Sequence, residues 1–196
     1  VAGVNSVVLW YTARGTGAVM LVLFTLALVL GIVTRGGRPL PGLPRFAVAG
    51  LHRNISLLAI AFLAIHIITI VTDSYSRVGW LATVIPFIAG YRALWVGLGT
   101  IAFDVFLAVI ATSLLRARIG HRVWRLVHWA AYAAWPSAVL HGMFAGTDNT
   151  AAWMIAIDVL VIGAVLAAVG WRLTDRPRWR RAAPRLPAAK VPVGAR

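Results

Sequence analysis

The sequence has no cysteine, no glutamate and only one lysine, and charged residues make up 12% of its 196 positions. Without cysteine there are no disulfides, no iron–sulfur clusters and no thiolate chemistry, so a metal would have to be held by nitrogen or oxygen. The charge content is about half the roughly 25% of an ordinary soluble domain. Histidine, present five times, is then the ligand type to examine.

What is abundant is apolar surface: 61% of the residues are hydrophobic and the mean hydropathy is +0.85. Five hydrophobic runs occupy about residues 7–33, 50–72, 93–115, 124–145 and 152–171. Runs of about 20 apolar residues match the hydrocarbon thickness of a bilayer. The expected fold is therefore an all-α integral membrane protein, a bundle of five transmembrane helices in a multi-pass protein of the cell membrane. The first run does not read as a cleavable signal, because no basic region precedes it and no small-residue cleavage site follows a short apolar core.

Glycines and prolines between Thr34 and Pro44 predict a loop, and residues 73–92 a connection long enough to lie along the membrane interface. From Arg172 the composition turns to arginine, proline and alanine, which cannot bury a core. Residues 1–171 are thus expected to form the membrane domain and residues 172–196 a basic, flexible tail.

The net charge of +14 comes from 18 arginines and one lysine against five aspartates. These charges lie between the hydrophobic runs and in the tail, which points to orientation and anionic lipid rather than nucleic acid. Arg35, Arg38 and Arg45 follow the first run, Arg116, Arg118, Arg122 and Arg125 the third, and the tail holds eight more basic residues. The opposite side has only Arg77 and Arg92. The positive-inside rule places the N-terminus outside and the C-terminus in the cytoplasm.

Four histidines fall in two runs, His52 and His66 in the second and His128 and His141 in the fourth. Ionisable side chains inside a membrane helix are rare and usually functional. Fourteen residues rise about 21 Å and nearly complete four turns, so His52 and His66 share a face. Thirteen residues rise about 19.5 Å, so the two parallel helices offer histidines at two matching depths. His52 would meet His128 near the cytoplasm, and His66 would meet His141 near the outside. Two imidazoles are a standard axial set for haem iron, and the pattern predicts two haems b.

Thirteen residues of ideal helix also leave His128 and His141 about 140° apart around the axis. Pro136 lies between them and predicts a kink that turns His141 back. Zinc competes for histidine clusters but needs ligands converging on one point. A proton path would favour a ladder of polar groups over two matched pairs.

These spacings, with Trp124-Arg-Leu-Val-His128 opening one helix and Leu140-His141-Gly142 near its end, resemble the ferric reductase-like transmembrane domain. That family includes the membrane part of NADPH oxidases, eukaryotic ferric reductases and the bacterial haem-binding subunit of the periplasmic methionine sulfoxide reductase system. The resemblance covers roughly residues 8–145. It implies that His52 and His128 ligate an inner haem, and His66 and His141 an outer one. Tyr11-Thr-Ala-Arg14 resembles the family's Ala-Arg motif, which places Arg14 near the outer haem. The oxidases carry a further histidine where this chain has Ile70, so the resemblance favours an acceptor other than oxygen. Because no glycine-rich phosphate loop behind a strand follows, hydride transfer from NADPH is expected to need another protein.

Arg53 and Arg125, beside the inner ligands, are candidates for pairing haem propionates, as is Arg14 for the outer haem. Asp104 and Asp158, near the middles of the third and fifth runs, are expected to bond each other's helix or another polar group, a structural pairing ranked above a proton role. Phe62, Trp129, Tyr132 and Trp135 lie at depths between the two levels and are expected to be ordinary packing residues rather than parts of an electron path, and His121 to be a solvated loop residue. The function expected is transmembrane electron transfer by an oxidoreductase component. The donor would be a cytoplasmic flavin reductase or a membrane quinol, and the acceptor an extracytoplasmic redox protein or ferric complex. FMN or a quinone is left open as a further cofactor. The alternative is a non-catalytic membrane subunit, a proton path or scaffold, whose histidines bind no haem.

Overall fold

The computed structural model describes residues 2–34, 42–73, 76 and 78–174, and every regular element among them is helical. Helix α1 (Ala2–Thr34) leads to α2 (Arg45–Thr72), a 3₁₀ turn at Trp80–Thr83, α3 (Ala93–Leu114), α4 (Arg116–Trp129), α5 (Ala131–Ala145) and α6 (Ala152–Thr174). Four stretches are long and apolar enough to cross a bilayer: Val7–Thr34, Arg45–Thr72, Ala93–Leu114 and Ala152–Thr174. They correspond to the first, second, third and fifth hydrophobic runs. Helix α6 passes the expected boundary at residue 171, with Arg172 in its last turn, where a cation opposes the negative end of the helix dipole. Most of the expected breaker loop and of the basic tail, with Arg77, lies outside the described residues.

The fourth run is built differently from expectation. Helix α5 has 15 residues, about 22 Å, short of the ~30 Å hydrocarbon core. Gly120 interrupts α4 at φ 77° and ψ 158°, backbone territory that glycine tolerates and other residues avoid. A second irregularity sits at Ala130, whose N–H donates to the Val127 carbonyl (2.9 Å), three residues back, as in a 3₁₀ turn. Pro136 lies inside α5 without ending it. No break falls at Pro136 itself, and the nearest irregularity is the tightened turn at Trp129–Ala130. A proline ring crowds the carbonyl four residues earlier, here that of Tyr132. The 3₁₀ tightening advances about 120° per residue rather than 100°, which turns α5 in the sense that the thirteen-residue histidine spacing requires.

Helix α1 is the centre of the bundle, packing against α2, α5 and α6, while α3 packs against α4 and α5. Its apolar residues occupy several faces, which suits a helix surrounded by others. Leu21 meets Val139 and Val161, Phe24 meets Ala102 and Ala134, and Leu28 and Ile32 meet Ala168. Trp135 borders all three clusters. Its indole N–H donates to the Thr25 hydroxyl (2.8 Å), which donates to the Leu21 carbonyl (2.8 Å). At the end of the bundle carrying the α2–α3 connection, Val78, Ala82 and Ala89 pack inward on Ile70 and Val96. Thr100 fastens this roof by donating to the Ala82 carbonyl (2.7 Å).

Trp135→Phe keeps the ring and removes one interhelical hydrogen bond, with an expected cost of about 0.6 kcal/mol. Trp135→Ala opens all three clusters, with an expected cost of about 3–5 kcal/mol. Thermal unfolding of both variants in the same detergent should separate them by several degrees, in that order.

Candidate functional site

The four membrane histidines meet as two pairs. His52 of α2 faces His128 of α4 with ring centres 6.3 Å apart and planes at 60°. His66 of α2 faces His141 of α5 at 6.2 Å and 84°. The first pair lies toward the α3–α4 end of the bundle, the second beneath the roof of the α2–α3 connection.

Three of the rings are held by backbone carbonyls of neighbouring helices. His52 Nδ1 donates to Ala27 of α1 (3.1 Å), His66 Nδ1 to Ala13 of α1 (2.6 Å) and His141 Nδ1 to Trp95 of α3 (2.9 Å). Fourteen residues separate both the two α2 histidines and the two α1 carbonyls, so one antiparallel register of α1 on α2 serves both levels. A carbonyl oxygen only accepts, so each of these Nδ1 atoms carries the proton, and in the neutral ring each Nε2 keeps its lone pair. That is the tautomer in which a histidine binds a metal through Nε2 while its other nitrogen is oriented by the protein.

At two of the three tethers the close approach depends on a missing side chain. Four residues after each of the accepting residues comes a glycine: Gly17, Gly31 and Gly99. A Cβ at Gly17 would lie 2.9 Å from His66 Nδ1, and one at Gly99 would lie 2.5 Å from His141 Nδ1. His128 is the exception. Its Nδ1 is buried without a hydrogen-bond partner, and its ring instead stacks on Trp124 at 5.0 Å and 27°.

A cavity of about 190 Å³ surrounds the His66–His141 pair, lined by α1, α2, α3, α5, the start of α6 and the connections at this end of the bundle. Arg14 lines it and forms an ion pair with Asp148, also donating to the Thr147 hydroxyl (2.9 Å). Arg14 therefore stands at the level of this pair, already engaged by the α5–α6 connection. Arg53 and Arg125 are exposed, and neither makes a hydrogen bond or ion pair with another described residue. His121 is exposed, but it belongs to helix α4 rather than to a loop, and its ring lies 5.3 Å from that of Trp124.

The expected pairing of Asp104 and Asp158 is not found. They lie on α3 and α6, helices that do not pack against each other, and the buried Asp158 leaves Oδ1 without a partner. Among the described residues no three His, Cys, Asp or Glu side chains gather at one point, as a tetrahedral zinc site would need. Each histidine pair can instead offer two opposed nitrogen ligands and leave the remaining coordination positions to a non-protein group.

Sequence reasoning missed the carbonyl tethers and their glycines. Their signal was present: Ala13 and Gly17 recur as Ala27 and Gly31, at the same fourteen-residue step as His52 and His66. It also missed Arg92, whose guanidinium donates to the carbonyls of Phe144 (2.6 Å) and Gly146 (2.9 Å) and closes the C-terminal end of α5.

The ferric reductase-like transmembrane component family matches residues 16–139, which takes in His52, His66 and His128 and stops two residues short of His141. No curated protein and no solved structure matches the chain.

Gly99→Ala is expected to push His141 off its carbonyl and to cost about 1–3 kcal/mol, as overpacking does. Gly31→Ala, which meets nothing within 4 Å, should be neutral or stabilising by up to about 1 kcal/mol. Melting temperatures of the two single variants in detergent give the comparison.

Proposed function

This chain belongs to the ferric reductase-like transmembrane component family, and from that premise and its two histidine pairs we propose that it is a dihaem b-type subunit carrying electrons across the membrane. In this reading the residues from His121 to Ala145, about 37 Å of helix, make a fifth crossing despite the break at Ala130. The N-terminus lies outside and the basic tail in the cytoplasm, following the arginine asymmetry.

The observation that carries the reading is the spacing of the tethered rings. Two imidazoles on opposite sides of one metal, with bonds of about 2 Å and roughly 1 Å from nitrogen to ring centre, put their centres about 6 Å apart. Both pairs meet that requirement. His52 and His128 would hold the inner iron, and His66 and His141 the outer one. When bound, haem supplies one-electron redox chemistry, and the protein supplies ligands, orientation and a dry surrounding. Ala13, Ala27 and Trp95 fix three of the four imidazoles through their carbonyls. Arg14 brings positive charge to the outer level, where a propionate would compete with Asp148 for it.

Donor and acceptor are separate molecules in this proposal. Electrons come from a cytoplasmic flavin reductase or a membrane quinol and leave to an extracytoplasmic redox protein or ferric complex. FMN or a quinone is retained as a candidate further cofactor. A proton path draws less support, because Leu21, Phe24, Val139 and Trp135 fill the core between the two levels rather than a ladder of polar groups.

Purified protein should carry two low-spin haems per chain by absorption and haem quantitation. His52→Ala should lose the inner haem and His66→Ala the outer, each leaving the other spectrum in place. A folded, colourless wild-type protein would refute the proposal.

A further inference from the structure

The four histidines are not held alike, and the odd one has a distinct device. Three donate through Nδ1 to a carbonyl that has a glycine four residues later. No carbonyl of a neighbouring helix accepts from His128 in this way. His128 Nδ1 is left buried and unpartnered.

What restrains His128 instead is Trp124, one turn earlier on α4. The rings stack at 5.0 Å and 27°. Trp124 is itself anchored, its indole N–H donating to Ser113 Oγ of α3 (3.2 Å) and Arg116 lying over its ring at 5.4 Å. Both helix irregularities bracket this unit, Gly120 before it and Ala130 after it. The stack can therefore settle on α3 with some independence from α5.

Resting on the two-haem reading, we infer that Trp124 is the positioning residue of the inner ligand His128. It replaces by stacking the carbonyl tether that the other three ligands possess. A stacked face fixes the tilt of an imidazole but accepts no hydrogen bond from it. His128 is thus both a less rigidly aimed and a less electron-rich ligand than its three counterparts, since a hydrogen bond from the outer nitrogen raises ligand basicity.

The test compares wild type, Trp124→Leu and Trp124→Phe as full chains reconstituted with haem, using haem quantitation, electron paramagnetic resonance of the oxidised low-spin signals and redox titration. His52→Ala identifies which signal belongs to the inner site. Trp124→Leu should weaken inner haem binding by about tenfold, the lower end for loss of a group that orients a metal ligand. It should also shift the inner signal and midpoint potential, while the outer haem, serving as the folding control, stays unchanged. Trp124→Phe, which keeps a stacking ring, should restore most of the inner binding and signal. A dihaem wild type whose inner signal, potential and occupancy survive Trp124→Leu overturns this inference alone. Equal loss of both haems in the Leu and Phe variants marks a merely structural role and overturns it too. A wild type without haem overturns the two-haem reading and this inference with it.

Discussion

A histidine buried in hydrocarbon has two ring nitrogens to satisfy and no water to do it, and much of this bundle is arranged around that demand. Helix carbonyls are the nearest acceptors, and each can take a second hydrogen bond beyond its own helical one. Reaching them requires the imidazole to lie almost on the backbone of the next helix. That explains why Gly17 and Gly99 stand beside the bound carbonyls and why α1 and α2 hold one register from end to end. The tethers fix one nitrogen of each ring and thereby aim the other into the space between helices.

The packing separates this polar work from the apolar core. Helix α1 uses Ala13 and Ala27 toward α2, and Leu21, Phe24, Leu28 and Ile32 toward α5, α6 and α3. Trp135 ties the three clusters together through contacts that a smaller residue could not span. The two histidine levels are nevertheless unequal. One has a cavity, two tethered rings and the Arg14–Asp148 pair; the other has one tethered ring, one stacked ring and exposed arginines.

The membrane class, four of the crossing helices and the pairing of His52 with His128 and His66 with His141 were legible because each follows from run length or helical rise. The behaviour of the fourth run was not. Pro136 announces a disturbance, but α5 runs through it, and the irregularities of this run fall at Gly120 and Ala130. Asp104 and Asp158 looked like partners because they share a depth; depth is readable from sequence, but the order of helices around the bundle is not. The tethers were half legible. A repeated Ala-x-x-x-Gly at the histidine step is visible in the letters, yet its use of carbonyls is a matter of interhelical distance.

The shared register of α1 and α2 makes this helix pair a ruler. Its two notches, at Ala13 and Ala27, are set by the rise of one unbroken helix, and the marks on its partner, His66 and His52, are set by the rise of another. Side-chain repacking can loosen the material around the ruler without altering its scale. A thicker or thinner membrane is met by leaning the rod, since a helix tilts far more readily than it stretches. Lipid can change how deep the two levels lie, while the separation between them stays a property of the peptide backbone.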